Sequence, residues 1–152
     1  MIFQADNEQE LADKVWERIS QSSGGGVIIG LVGDLGAGKT ALVKGIARKL
    51  GVKESVTSPT FNLRKSYPIK KTNGADNLQH IDLYRIEKQN SKDIGEINDW
   101  ISDRSAVTFI EWIDHMSELF KKADIIIHLN AISEKVREVE ITTNGNSNKI
   151  SR

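Results

Sequence analysis

The sequence predicts an α/β fold of three layers, in which a mixed central sheet is flanked by helices. Residues 33–40 (GDLGAGKT) match the phosphate-loop pattern of Gly, four residues and Gly-Lys-Thr. Residues 27–32 before them are apolar and β-branched, which predicts a buried strand. Residues 41–50 after them place apolar side chains on one helical face, and Gly51 is placed to end that helix in a left-handed cap. The expected fold is therefore P-loop NTPase-like.

The glycine-rich segment carries the first functional prediction. A strand, a tight turn and a helix in this order point backbone N–H groups at a phosphate, and glycines let the backbone approach it closely. Lys39 is expected to reach the β- and γ-phosphates, and the Thr40 hydroxyl to bind Mg²⁺. An ordinary glycine-rich turn is the weaker alternative, because both flanking elements have the right type.

Composition limits the class of protein. The 152 residues are 38% hydrophobic and 28% charged, as expected for one globular domain, which we place at 1–143 with a polar tail at 144–152. The 21 basic and 21 acidic residues balance, which argues against non-specific electrostatic binding of nucleic acid. The charge balance does not exclude a local basic patch or a partner protein that carries RNA.

The sequence shows no pattern typical of export or of membrane insertion. The chain has no cysteine, which excludes disulfides and is compatible with a reducing environment. The first six residues lack a basic segment, so we expect no signal peptide. No apolar run approaches the length that spans a bilayer, so we expect no membrane partner.

The other elements follow from apolar periodicity. Residues 7–21 predict a helix, with Asp6 and Gln9 resembling a capping box, followed by a flexible connector at 22–26. Two strands at 61–69 and 78–86, joined by a turn at 70–77, predict a hairpin. The later expected elements are a helix at 91–102, a strand at 107–110, a helix at 115–122, a strand at 124–130, a turn at 133–135 and a strand at 136–143.

Residues 57–61 (TSPTF) follow the phosphate-loop helix. Pro59 removes a backbone donor and disfavours helix at Ser58. The segment is either a mobile loop over the nucleotide, like the switch loops that a γ-phosphate orders, or a plain connector.

Two further segments present polar groups at strand positions. At period two, His80, Asp82 and Tyr84 share one face, which is either solvated or turned towards chemistry. Glu111 ends a short apolar strand, and the carboxyl end of such a strand lies at the crevice where open α/β sheets bind ligands. It resembles a Walker B acid with Glu in place of Asp. The alternative is a surface carboxylate.

Taken together, four segments resemble the bacterial TsaE (YjeE) family of P-loop ATPases. The phosphate loop alone is common to many NTPases, whereas its combination with the other three is far more specific. The resemblance covers most of the chain, from the first helix to the last strand, and the C-terminal tail matches nothing in it. The segments are 33–40, Ser58-Pro59-Thr60-Phe61, His80-Ile81-Asp82-Leu83-Tyr84-Arg85 and Ile110-Glu111-Trp112.

The resemblance implies a small cytoplasmic ATPase. Such proteins work with TsaB and TsaD to make threonylcarbamoyladenosine (t6A) in tRNAs that read codons beginning with A. They bind the TsaB–TsaD heterodimer, and ATP hydrolysis resets that complex between rounds, although the ATPase does not form the modified base. Contact with tRNA is expected only through the complex.

The resemblance also assigns residues. The expected catalytic residues are Lys39, Asp82 and Glu111, with Thr40 and Glu111 holding Mg²⁺ directly or through water. Asp82 would orient or deprotonate the attacking water, although the sequence leaves open whether Glu111 does so. The other expected nucleotide contacts come from the phosphate loop and from separate positions, namely Asp6 near the adenine, Leu35, Gly36, Ala37, Gly38, Ala41, Trp112 and Arg137, with Ser58 and Thr60 in the switch-like loop.

Phosphoryl transfer needs positioned positive charge and an in-line nucleophile, which Lys39 and Mg²⁺ would help to provide. Since Arg85 and Arg137 are only candidates for an arginine finger, we expect slow turnover without a partner. A stand-alone small-molecule kinase is disfavoured because no long insertion offers a lid. A GTPase is disfavoured because residues 73–76 (NGAD) lack the lysine of the guanine signature. A nucleotide-gated binding module stays open.

Overall fold

The computed structural model describes residues 1–21, 26–59, 62–72, 74–86 and 91–144. These residues form a seven-stranded sheet with helices, and a short 3₁₀ helix (Ile113–His115) follows the fifth strand. In chain order the elements are β1 (Ile2–Ala5), α1 (Glu8–Ile19), β2 (Val27–Val32), α2 (Lys39–Lys49), β3 (Arg64–Thr72), β4 (Ala75–Asp82), α3 (Ser91–Ile101), β5 (Ala106–Glu111), α4 (Ser117–Lys122), β6 (Ile125–Ala131) and β7 (Arg137–Thr143).

The sheet is mixed, as predicted. Its strand order is β1-β7-β6-β2-β5-β4-β3. The four central strands β6, β2, β5 and β4 are parallel, whereas β3, β7 and β1 are antiparallel to their neighbours. The carboxyl ends of β2, β5 and β4 therefore meet at one edge of the sheet, where ligands bind in open α/β folds.

Apolar side chains cover both faces of the sheet. Two hydrophobic clusters lie on opposite faces of the sheet. Alternate residues of β2 point to opposite faces, so Ile29 belongs to the first cluster and Ile28 to the second. Helices α1 and α2 pack on the first face, and α3, the 3₁₀ helix and α4 pack on the second. This arrangement confirms the predicted three layers.

The start of α1 differs from the prediction by one residue. Asn7, and not Asp6, is the N-cap, and its Oδ1 accepts the Glu10 N–H at 2.9 Å. The Glu10 carboxylate in turn accepts the Asp6 N–H at 2.7 Å. The predicted capping box at Asp6 and Gln9 is therefore wrong, because Asn7 caps the helix and the Glu10 carboxylate reaches back to the Asp6 N–H.

The hairpin and the N-terminal strand also differ. β3 continues to Thr72, which pairs with Ala75, so the turn at Gly74 is much shorter than 70–77. β4 ends at Asp82 and the chain turns at residues 84–85, where the Ile86 N–H bonds to the Leu83 carbonyl at 3.1 Å. β1 was not predicted, since four residues gain strand structure only by pairing with β7.

The helix ends show one confirmation and one correction. Gly51 has φ +81° and closes α2 as predicted, with the Val52 N–H bonded to the Ala47 carbonyl at 3.0 Å. The helix predicted at 115–122 is present as α4 and ends at Lys122 as predicted, but it starts at Ser117, because Met116 is extended and His115 belongs to the preceding 3₁₀ helix. Most of the predicted connector at 22–26, Thr60 and Phe61 of the segment 57–61, Asn73 of the hairpin turn and the tail at 145–152 lie outside the described residues.

None of the helices in the described part of the chain combines the length and apolar character needed to cross a bilayer.

Candidate functional site

The glycine-rich loop joins the carboxyl end of β2 to the start of α2. Gly36 and Gly38 have φ of +82° and +104°, a conformation that side chains other than glycine rarely adopt. Gly33 approaches β6 so closely that a Cβ there would lie 2.5 Å from the Leu129 carbonyl oxygen. Because Gly38 gives α2 no side-chain cap, the first N–H groups of the helix are available to an anion.

Lys39 folds back into this loop. Its Nζ donates to the carbonyls of Gly33 at 2.6 Å and Asp34 at 2.9 Å, and it lies 4.0 Å from the centroid of the Trp112 ring. Burial lowers the pKa of Lys39, while the nearby carboxylates, Glu111 first, act in the opposite direction. The ammonium is thus held at the mouth of the loop, next to the helix N-terminus.

Glu111 is the last residue of β5 and is buried. The Thr40 hydroxyl donates to its two carboxylate oxygens at 2.9 and 3.0 Å, and His80 Nε2 is hydrogen-bonded to Oε2. Only 2% of Glu111 is exposed, so the alternative of a surface carboxylate is wrong. A hydroxyl and a carboxylate are joined directly beside the phosphate loop.

Asp82 ends the neighbouring strand β4 and is aligned in register with Glu111. Its Oδ2 accepts the Ser58 hydroxyl at 2.6 Å, and its Oδ1 accepts the Tyr84 N–H at 2.9 Å. His80 is fully buried, so the solvated interpretation of this face is wrong for His80, whereas Asp82 is half-buried. Tyr84 lies beyond the strand and is 48% exposed.

Trp112 turns the chain away from the sheet immediately after Glu111. Its φ is +59°, which is uncommon for a bulky residue, and its N–H donates to the Leu31 carbonyl at 3.1 Å. Its ring centroid lies 5.0 Å from that of Tyr84 and 5.1 Å from that of His115. The indole therefore forms one wall of the site, between Lys39 and the turn that follows β4.

Arg137 links the phosphate loop to the turn between β6 and β7. Its Nε donates to the Ala37 carbonyl at 2.8 Å, and one terminal nitrogen, Nη1, donates to the carbonyls of Ser133 at 2.8 Å and Glu134 at 3.2 Å. The guanidinium therefore fixes the outer side of the loop.

These elements enclose a cavity of about 370 Å³. Most of the predicted site residues line it, and so do Ser58, Pro59, Tyr84 and Arg85 from the motif segments. Ala37 and Asp6 do not line it. Ala37 is buried behind the loop, where its carbonyl binds Arg137, and Asp6 precedes α1. The predicted residues that line the cavity are Leu35, Gly36, Gly38, Lys39, Thr40, Ala41, Asp82, Glu111, Trp112 and Arg137.

Two lining residues were missed by the sequence analysis. Glu8, in the first turn of α1, and Leu63, just before β3, reach the cavity through the tertiary arrangement alone. Their local sequence carries no functional pattern that could have identified them.

The donor set suits a Mg²⁺ ion that arrives with phosphates. Within the described residues, no group of three or more His, Asp or Glu side chains could hold a metal. One carboxylate and one hydroxyl are available instead at Glu111 and Thr40. Mg²⁺ is commonly bound by one or two carboxylates together with substrate phosphates and waters, so this oxygen-only pair fits it.

The parallel strand edge, the glycine loop and the helix N-terminus together define a P-loop nucleotide-binding protein. The family model of the threonylcarbamoyl adenosine biosynthesis protein TsaE matches residues 4–139. The chain belongs to the TsaE family, which confirms the resemblance seen in its motifs.

Individual relatives agree with this assignment. Each is described as a tRNA threonylcarbamoyladenosine biosynthesis protein TsaE. Identity is 35% with that of Bacillus subtilis, covering 80% of this chain and 72% of the relative. Identity with the protein of Nostoc sp. is 36%, covering 93% of this chain and 84% of the relative. Identity with the protein of Aquifex aeolicus is 38%, covering 84% of this chain and 86% of the relative. The crystal structure of YdiB from Bacillus subtilis superimposes with a TM-score of 0.71 at 23% identity, covering 96% of this chain and 86% of that one, and supports the fold alone.

Proposed function

We propose that this protein is a Mg²⁺-dependent ATPase of t6A biosynthesis, acting in the cytoplasm. It would bind Mg-ATP, and hydrolysis would reset a TsaB–TsaD complex between rounds of tRNA modification. The observation that carries the ATPase proposal is the Thr40–Glu111 hydrogen bond beside the phosphate loop, with Asp82 aligned next to it. The pathway follows from the family, and the two partners are the ones that the motif resemblance implies.

The phosphate chain of ATP would lie on the loop and the start of α2. Backbone N–H groups there, and the Lys39 ammonium, would neutralise the β- and γ-phosphates. Two of the three Lys39 donors now bind loop carbonyls, so the side chain is positioned but would exchange partners when phosphate arrives. Glu8 and Ala41 line the same cavity on the side of α1 and α2.

Thr40 and Glu111 would hold the Mg²⁺ ion, directly or through water. When bound, the ion supplies charge that stabilises the phosphates during transfer. Glu111 is buried and both of its oxygens already accept hydrogen bonds, so it is suited to a fixed ligand role.

Asp82 is better suited than Glu111 to position the attacking water. It lines the cavity, is half-buried, and is held by Ser58 and the Tyr84 backbone while keeping acceptor capacity. In hydrolysis the water oxygen bonds to the γ-phosphorus, the bond from that phosphorus to the bridging oxygen breaks, and ADP and phosphate leave. Asp82 would hold the water and take up the proton that it loses.

Two arginines, Arg85 and Arg137, line the cavity, and we assign neither as an arginine finger. Arg137 lines the cavity, but it binds backbone carbonyls through Nε and Nη1. Arg85 lines it from the turn after β4. Without an arginine at the γ-phosphate, turnover would be slow, and a partner that supplied one or repositioned Arg85 would accelerate the reaction. Partner binding would then be the control point.

Product analysis tests the ATPase proposal. Purified protein with Mg-ATP is expected to release ADP and inorganic phosphate in equal amounts, with weaker binding of GTP. Transfer of the phosphate to an added small molecule would instead support a kinase. If Asp82→Ala abolished phosphate release but left t6A formation intact in cells, the protein would be a nucleotide-gated binding module whose hydrolysis is incidental.

A further inference from the structure

The imidazole of His80 contacts Glu111 from inside the protein. His80 lies in β4 opposite Phe109 of β5 and is fully buried. Its Nε2 is hydrogen-bonded to Glu111 Oε2. A carboxylate that binds a metal ion can only accept a hydrogen bond, so in that state the proton would be on Nε2 and the histidine would donate.

The other ring nitrogen of His80 indicates that this residue has a role beyond packing in the core. His80 Nδ1 is buried and has no hydrogen-bond partner among the described residues. Leaving a buried polar atom unpaired costs stability, whereas an apolar side chain of similar size would fill the space without that cost. Such local conflicts between stability and residue choice tend to occur at functional sites.

The carboxylate of Glu111 requires hydrogen-bond donors that fix its orientation. An aspartate is more usual at this position of a P-loop site, and glutamate adds one rotatable bond between backbone and carboxylate. Thr40 holds the carboxylate from the side of the loop, and His80 holds it from the core. With both donors in place, the group is restricted to one orientation even though its side chain is longer.

We propose that His80 is a positioning residue, whose Nε2–H fixes the Glu111 carboxylate in the orientation in which it and Thr40 bind Mg²⁺. This inference rests on the proposed function, because it takes these two residues as the metal ligands. Loss of a hydrogen bond that orients a metal ligand typically weakens metal affinity about 10- to 100-fold. His80→Leu should therefore raise the Mg²⁺ concentration needed to strengthen ADP binding by about that factor, while ADP binding without Mg²⁺ stays unchanged.

Two amide variants distinguish the loss of the hydrogen-bond donor at position 80 from the change in side-chain volume. The amide nitrogen of glutamine is as many bonds from Cα as His80 Nε2, whereas that of asparagine is one bond short, like Nδ1. His80→Gln should therefore require nearly the same Mg²⁺ concentration as the native protein, and His80→Asn should resemble His80→Leu. This pair keeps the test decisive if His80→Leu does not fold.

The experiment is a Mg²⁺ titration of ADP affinity by calorimetry, with thermal unfolding as a check on folding. It includes Glu111→Gln and the double variant Glu111→Gln/His80→Leu, in which replacing His80 should have no further effect. Equal Mg²⁺ requirements in the two amide variants, or loss of folding in both, would overturn the proposal, and so would a native requirement in His80→Leu. If native ADP binding did not depend on Mg²⁺ and Glu111→Gln changed nothing, the proposed metal site itself would be wrong.

Discussion

Thr40 and Glu111 are joined by a hydrogen bond although 71 residues separate them in the chain. Thr40 belongs to the first turn of α2, and Glu111 ends β5, which pairs in parallel with the strand that leads into the loop. The sheet register thus brings a hydroxyl and a carboxylate together where a nucleotide phosphate would lie.

Lys39→Ala should reduce ATP turnover on the order of a hundredfold or more, because it removes a preorganised charge from the phosphate site. The matched control is Lys44→Ala, since Lys44 is exposed on the same helix. Phosphate release under saturating Mg-ATP measures both. Near-native turnover in Lys39→Ala would remove this residue from the catalytic set.

The difference in free energy of unfolding between the native protein and Lys39→Met should depend on pH. Burial lowers the pKa of Lys39 below its usual value of 10.5, so the unfolded chain binds the proton more readily than the folded one. Native stability should therefore rise relative to Lys39→Met as pH increases towards 10.5. Urea unfolding of both proteins across this range measures the difference, and a constant difference would contradict the shift.

Asp82→Asn and Glu111→Gln should have separable effects. Asp82→Asn should lower kcat on the order of a hundredfold while Mg-ADP affinity stays near native, because the water-positioning group acts only in the reaction. Glu111→Gln should instead raise the Mg²⁺ requirement of both binding and turnover. If the two variants showed the reverse pattern, the roles assigned to the two carboxylates would be exchanged.

Arg137→Ala should lower the free energy of unfolding by about 1 kcal/mol and weaken nucleotide binding, because the Ala37 carbonyl loses its donor. Arg137→Lys should not restore either property, since an ammonium cannot span the carbonyls of loop and turn as a guanidinium does. Lys135→Ala, an exposed change in the same turn, is the control. Full rescue by lysine would mean that charge alone matters there.

Two helical glycines should respond oppositely to alanine. A Cβ at Gly45 of α2 would lie 2.6 Å from the Ala12 Cβ of α1, so Gly45→Ala should cost about 1–3 kcal/mol through overpacking. Gly95 of α3 is exposed, and a Cβ there would meet none of the described atoms within 4 Å beyond its own helical neighbours, so Gly95→Ala should stabilise by about 0.5–1 kcal/mol. Denaturant unfolding measures both, and stabilisation by Gly45→Ala would contradict the close packing of α1 on α2.

The sequence predicted what local patterns encode. The strand, loop and helix around residues 33–40 follow from apolar periodicity and glycine placement, and the position of Glu111 follows from the end of an apolar strand. β1 was missed because its four residues are stabilised only by pairing with β7. The limits of the hairpin were wrong because sheet pairing extended β3 beyond the turn residues that composition suggested.

In the site, too, local patterns predicted some features, while others depend on long-range contacts. The burial of His80 depends on β3, β4 and β5 coming together, and period-two alternation alone could not distinguish it from a solvated face. The contact of Arg137 with Ala37 spans 100 residues, and Glu8 reaches the cavity only because α1 packs beside α2. Local sequence does not contain such long-range relationships.

The most direct test of the proposed function is phosphate release from Mg-ATP, measured with the protein alone and with the TsaB–TsaD pair. We expect slow release alone, clear acceleration by the pair, and loss of both in Thr40→Val, which removes the hydroxyl bound to Glu111. Absence of phosphate release in both conditions, or native release by Thr40→Val, would contradict the proposal that this site hydrolyses ATP.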